Sequence, residues 1–237
     1  MYAAASGMAA QQTNLEIIAD NLANADVAGF KGAAASFTDV NAGGTLGLGT
    51  AALGRHPLFE QGKLMKSGGP FDLAIDGAGF FRIEKDGATA YTRAGEFSRA
   101  ADGSLQNADG WRLHGVRIPA DAISASVDRA GRVLIDSATA KGHAVARIGL
   151  VTFNAPEGLR ALGGTLFVAT AVSGPPHAFA PREGRSSIAF GMLEKSNVSI
   201  VESMMQILTA QRAYEANAKG VQAADEMLRI ANNLHRS

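Results

Sequence analysis

The sequence predicts an α+β protein in which two helical ends flank a mostly antiparallel β middle. Three observations lead there. All seven prolines of the 237 residues fall between Pro57 and Pro181, leaving both ends free of helix breakers. Apolar residues recur every seven positions near each end. Four Asp-Gly pairs punctuate short apolar runs in between.

The first element is a helix over about Tyr2–Asn24. Met8, Leu15 and Leu22 lie seven apart, with Ile18 three after Leu15, which gives a narrow apolar stripe among many alanines. Asn24-Ala25-Asp26 and Gly29 supply its stop signals. Residues 38–56 are rich in Gly and Thr and poor in bulky side chains, so they read as a flexible or extended connector. Strands are expected at Phe71–Ile75, Gly79–Glu84, Trp111–Val116, Ile123–Asp128, Arg132–Asp136, Val145–Phe153 and Leu166–Ala169. Asp76-Gly77, Asp86-Gly87, Asp102-Gly103 and Asp109-Gly110 act as hairpin signals, because Gly accepts the positive φ that tight turns require. The last element is a helix over about 199–234. Ile200, Ile207, Tyr214, Val221 and Leu228 are spaced by seven without a break, and Met204 falls four after Ile200, giving a heptad seam of coiled-coil type. Ser196 or Asn197 suits an N-cap, and Ser199 with Glu202 fits a capping box. Gly220 inside this helix suggests a close helix contact. The division is therefore 1–36 as an N-terminal helical part, 37–69 as connector, 70–192 as the β domain and 193–237 as a C-terminal helical part. A stripe this narrow needs a packing partner. That partner is the other terminal helix within one chain, or further subunits that complete the pair.

Composition excludes more than it suggests. With 22 basic and 22 acidic side chains the net charge is zero, against the basic excess of a nucleic-acid binder. The absence of cysteine removes thiol catalysis, disulfides and Cys-ligated metal. No apolar run of transmembrane length occurs, so no membrane insertion is expected. The first basic residue is Lys31, so the n-region of a cleavable secretory signal is missing. Alanine accounts for 45 residues, which lets helices crowd closely. The glycine-rich stretch Gly43–Gly49 lacks the Gly-Lys-Ser/Thr ending of a phosphate loop, and Gly77-Ala78-Gly79 runs into a strand where a dinucleotide fingerprint must open a helix. The five histidines lack His-x-x-x-His spacing, and no Gly-x-Ser-x-Gly elbow is present. Trp111, next to a turn, reads as a core anchor. No catalytic, cofactor or metal residue can be nominated.

Three segments carry a family resemblance. Ser6-Gly7-Met8-Ala9-Ala10-Gln11-Gln12-Thr13-Asn14-Leu15, with Asp20-Asn21-Leu22-Ala23-Asn24 and Gly29-Phe30-Lys31, resembles the N-terminal signature of bacterial flagellar rod and hook proteins. Asp72-Leu73-Ala74-Ile75-Asp76-Gly77-Ala78-Gly79-Phe80-Phe81 and Tyr91-Thr92-Arg93-Ala94-Gly95-Glu96-Phe97 resemble their central β motif. Leu193-Glu194-Lys195-Ser196-Asn197-Val198, Gln211-Arg212-Ala213-Tyr214-Glu215-Ala216-Asn217-Ala218-Lys219 and Asp225-Glu226-Met227-Leu228 resemble their C-terminal signature. The last two stretches are nearest the distal-rod branch of the family, while Gly69-Pro70-Phe71-Asp72 is similar to proximal-rod members too.

The resemblance implies a structural subunit of the basal-body rod, periplasmic, exported by a type III route without a cleaved signal. It implies N- and C-terminal helices paired as an inner coiled-coil layer with the β domain outside. Expected partners are copies of the chain, other rod and hook proteins, the surrounding ring proteins and the export apparatus, with no cofactor. The expected assembly interface is Met8, Leu15, Ile18, Leu22, Ile200, Met204, Ile207, Tyr214, Val221 and Leu228. Asn21, Asn24, Gln211 and Asn217 are candidates for fixing register through hydrogen bonds, or are simply solvated helix surface. The rival reading is a cell-wall glycan-binding or glycan-cleaving module with a helical dimerisation device. A cleft of convergent carboxylates with perturbed pKa would favour that rival.

Overall fold

The computed structural model describes residues 2–39, 49–138, 141–182 and 185–234. Part of the Gly43–Gly49 stretch lies outside them. The chain forms two compact units, one of Met1–Asn24, Ala33–Leu58 and Val198–Ser237, the other of Ala25–Gly32 and Phe59–Asn197.

The first unit holds both helices. Helix α1 spans Tyr2–Ala23 and α2 spans Ile200–Leu234, close to the expected bounds. The α1 terminus is closed by Asn24, whose N–H and side-chain amide both donate to Asp20 O. At the start of α2, Ser199 Oγ accepts the N–H of Glu202 at 3.4 Å, the N-cap half of a capping box. The helices pack on one another. Ala10, Ile17 and Ile18 of α1 and Ser203 and Ala210 of α2 are buried. A methyl group on Gly7 would lie 3.1 Å from Asn217 Nδ2, so Gly7 marks a close helix approach. The contact expected at Gly220 is absent, since nothing lies within 4 Å of the place its Cβ would take. Residues 33–39 and 50–57 also depart from expectation. In place of an extended connector they form an antiparallel pair, β1 (Ala33–Asp39) and β2 (Thr50–Pro57), in contact with α1. Their Ala- and Gly-rich composition gives no alternation of bulky residues, but small side chains suit a ribbon lying close on a helix.

The second unit contains β3 (Leu64–Lys66), β4 (Leu73–Gly77), β5 (Phe80–Lys85), β6 (Ala88–Thr92), β7 (Ser98–Arg99), β8 (Ser104–Gln106) and β9 (Arg112–Arg117). It continues with β10 (Ser124–Val127), β11 (Arg132–Asp136), β12 (His143–Arg147), β13 (Leu150–Thr152), β14 (Arg160–Gly163), β15 (Leu166–Val168), β16 (His177–Phe179), β17 (Ser186–Phe190) and β18 (Met192–Glu194). All pairings are antiparallel. The main sheet runs β14-β15-β6-β5-β9-β8-β7, with β13 and β16 attached beside β5.

The Asp86-Gly87 turn joins β5 to β6 with φ of 49° and 80°, as a tight hairpin of the predicted kind. Asp102-Gly103 and Asp109-Gly110 also sit in connections between neighbouring strands. Asp76-Gly77 does not: β4 pairs with β17, more than a hundred residues later. The expected strand Val145–Phe153 is interrupted at Ile148-Gly149, which separates β12 from β13.

Strand β5 is apolar on both faces because successive side chains point opposite ways. Phe81 and Ile83 enter a cluster with Leu73, Ile75, Leu105, Leu150 and Ile188, against which Trp111 packs. Phe80 enters a second cluster with Tyr91, Val151, Phe153, Leu159 and Phe167. Edge-to-face ring pairs there include Phe59–Phe80 at 5.0 Å and Tyr91–Phe153 at 4.9 Å.

Candidate functional site: an exposed helix face and a buried ionic knot

Two features stand out, one on each unit. On α2 the apolar residues divide between two faces. At about 100° per residue, Ser203, Ile207, Ala210, Asn217, Val221 and Ala224 fall on one side. Every one of them is buried or half-buried. Val201, Met205 and Leu208 fall roughly opposite with Met204 beside them, and all four are exposed, Val201 by 74% and Met205 by 61%. A helix that is apolar on two opposite faces has more apolar surface than one neighbour covers.

The expected interface residues therefore separate. On α1, Ile18 is buried while Met8, Leu15 and Leu22 are half-buried. On α2, Ile207 and Val221 are half-buried, whereas Ile200, Met204, Tyr214 and Leu228 are exposed. The heptad seam therefore runs along the same side of α2 as the buried Ser203 and Ala210, but only Ile207 and Val221 of its large residues are covered there. Ser203, Ala210 and Asn217 share that side, while Tyr214 and Leu228 on it remain exposed. Helix α2 is 35 residues against 22 for α1, a difference of about 20 Å, so part of α2 lacks an α1 partner.

The polar candidates also differ in role. Asn21 Nδ2 donates to Ala33 O at 2.7 Å, and its Oδ1 accepts Ala33 N–H at 2.8 Å, so this amide holds the start of β1. Asn24 serves its own helix end. Asn217 faces Gly7. Gln211 is exposed.

The second feature was not nominated from sequence. Glu194, at the end of β18, has a side chain with 0% exposure, and it meets Lys31 (0%) and Arg93 (3%). Lys31 Nζ donates to Glu194 Oε1 at 2.6 Å and to Glu60 O at 2.6 Å. Arg93 Nη1 donates to Oε2 at 3.2 Å, and its guanidinium lies 5.5 Å from the Phe80 ring centroid. Gly62 N–H also donates to Oε1 at 2.8 Å, and Gly29 N–H donates to the Glu194 carbonyl at 2.7 Å. Burial pushes the Lys31 ammonium below its ordinary value, with Glu194 opposing the shift in part. One carboxylate thus faces two buried cations.

Glycines make this approach possible. A Cβ on Gly29 (φ +69°) would sit 2.3 Å from Ala94 N, and one on Gly62 would sit 1.9 Å from Lys195 O. The available signal in the sequence was Lys31 itself, the only base among the first 54 residues.

The groove that would serve the glycan reading is lined by Arg82, Glu84, Asp102, Arg112, His114 and Arg117 on the main sheet. Burial raises the Glu84 carboxyl, but bonds and charges from His114 and Arg82 outweigh it and hold it below its usual range. Hydrogen bonds from the Ser104 hydroxyl and N–H, with Arg112 and Arg117, do the same for Asp102. A glycosidic general acid needs a raised pKa, and neither carboxyl has one. Among the described residues no group of three or more His, Cys, Asp or Glu side chains is placed to hold a metal ion.

Comparison with known proteins places the chain in a family. Family models match at residues 1–31 (flagella basal body rod protein), 74–135 (flagellar hook protein FlgE/F/G D1 domain) and 190–234 (flagellar basal body rod FlgEFG protein C-terminal). The flagellar basal-body rod protein FlgG of Agrobacterium fabrum is 37% identical over 252 residues, covering 97% of this chain and 96% of its own. FlgG of Borreliella burgdorferi is 38% identical over 260, covering 100% and 98%. The rod protein FlgF of Mesorhizobium japonicum is 33% identical over 228, covering 92% and 90%. Each matched segment supplies one member of the knot: Lys31, Arg93 and Glu194. The chain belongs to the flagellar basal-body rod protein family.

Proposed function

We propose that the chain is a structural rod subunit that joins its assembly through the face of α2 turned away from α1. The carrying observation is the exposed apolar patch of Val201, Met204, Met205 and Leu208. Burying even three of these side chains against a neighbour stabilises by about 5–8 kcal/mol before association costs, enough to matter in a repeated contact. A patch on one subunit that meets a different surface on the next builds an open helical array, which suits a tube. The relatives are named as rod proteins, a structural role without a catalytic step. Neighbouring copies pairing with α2 in coiled-coil fashion, other rod and hook proteins at the ends, and ring and export proteins around the path are the partners this reading takes. Periplasmic placement, export without a cleaved signal and torque transmission through packed helices belong to the same proposal.

The test is Met204→Glu with Leu208→Glu in the full chain. Both sites are exposed, so the monomer's stability should stay within about 0.5 kcal/mol. Incorporation into basal bodies and motility should be lost. Normal motility with the double variant expressed would overturn the proposal.

A further inference from the structure

We propose that Glu194 is a single-carboxylate latch that closes the β unit last, tying the segment that follows α1 to the segment that precedes α2. Residues 29–32, 60–63 and 192–197 belong to neither apolar cluster of the unit. They are held to one another largely by polar bonds, and those bonds converge on Glu194. Its Oε1 takes Lys31 Nζ and Gly62 N–H, its Oε2 takes Arg93, and its carbonyl takes Gly29 N–H. Around it, Lys195 N–H donates to Lys63 O, Gly32 N–H to Asn197 Oδ1, and Asn197 Nδ2 to Glu60 O.

Among the described residues no other carboxylate fills this role. Glu60 is exposed, and Lys31 bonds its main-chain carbonyl instead of its side chain. Without Glu194, Lys31 and Arg93 would be two buried cations facing each other, an arrangement that low-dielectric surroundings penalise steeply. The carboxylate is also the last of the three along the chain, 163 residues after Lys31 and 101 after Arg93. A chain made from its N-terminus therefore holds both cations for a long interval without their counter-charge. Strand β17, which pairs with β4 and its fully buried Leu73, Ala74 and Ile75, arrives just ahead of it. Helix α2 starts six residues after it. The latch thus closes only once the chain just ahead of α2 is present. It concerns the β unit alone, so its failure leaves the surface proposed on α2 untouched.

Native-state hydrogen exchange on the full-length chain tests this, comparing the native sequence with Glu194→Gln. Protection of the Gly29, Gly32, Gly62 and Lys195 amides should fall together by on the order of 10²-fold, with Ile83 and Leu113 unchanged. Loss at Gly62 alone, or equal loss in the core strands, would overturn the latch. Adding Lys31→Met to Glu194→Gln restores the native excess of one cation and should recover at least about tenfold of the lost protection. No recovery would mean that Glu194 acts by shape and not by charge, overturning the proposal even where the single variant folds poorly. In Trp111 fluorescence kinetics, Glu194→Gln should speed unfolding and leave the refolding rate within about twofold. A matching slowing of refolding would show that the contact forms early and contradict closure in last place.

Discussion

Gly29→Ala is the sharpest perturbation of the knot that leaves every charge in place. The residue sits at φ +69°, where an added methyl group costs about 1–2 kcal/mol of backbone strain. The methyl would also lie 2.3 Å from Ala94 N, 2.4 Å from Ala94 Cα and 2.6 Å from Arg93 C. These are backbone atoms on the segment that carries Arg93, so relief requires moving one chain segment off the other. Overpacking of this kind costs about 1–3 kcal/mol. Displacement also stretches the bond from Gly29 N–H to Glu194 O, worth about 0.5–1.5 kcal/mol. The expected loss is about 3–6 kcal/mol, a large share of the roughly 5–15 kcal/mol that stabilises a typical domain. Gly87→Ala is the matched control. Gly87 has a similar φ of +80° with nothing within 4 Å of a Cβ, so it should lose only the backbone component of about 1–2 kcal/mol. Trp111, the single tryptophan, reports on the β unit in denaturant titrations of both variants. Equal losses at Gly29 and Gly87 would refute the claim that close packing around the knot is what requires glycine.

Asn21→Ala removes two bonds to Ala33 and should destabilise the helical unit by about 1–3 kcal/mol, read as a lowered thermal midpoint and faster amide exchange at Ala33. No change in either would show the amide to be ordinary helix surface. Lys31 titrates below its ordinary value of 10.5 because burial penalises its charged form. In the alkaline window between its folded value and about 10.5, the unfolded chain binds more protons, so stability should rise with pH there. Lys31→Met should lack that rise. A native curve that falls throughout this window relative to the variant would contradict the sign.

Much of the architecture was legible because it is local. The proline gap at each end, the seven-residue spacing and the Asp86-Gly87 turn report on neighbours along the chain, and both helices and β11 appear where expected. What was not legible depends on distance. The partner of β4 is β17, and nothing in Leu73–Gly77 announces a strand that begins at Ser186. Asp76-Gly77 accordingly looked like one more hairpin. The β1–β2 ribbon was missed because alanine and glycine carry little alternation to read. On α2, spacing found the side that carries Ile207 and Val221 but not how much of it α1 covers, nor the second apolar face of Val201, Met205 and Leu208. Lys31, Arg93 and Glu194 were visible only as motif members, since hydropathy treats charged residues as surface and their burial depends on each other.

The chain contains no cysteine, so a thiol introduced by Leu208→Cys is unique in it. Its reactivity toward a maleimide, measured in the isolated subunit and in purified basal bodies, tests the assembly surface most directly. The α2 proposal predicts rapid labelling of the subunit, where Leu208 is 53% exposed, and strong protection once the chain is assembled. Equal labelling in both would contradict it.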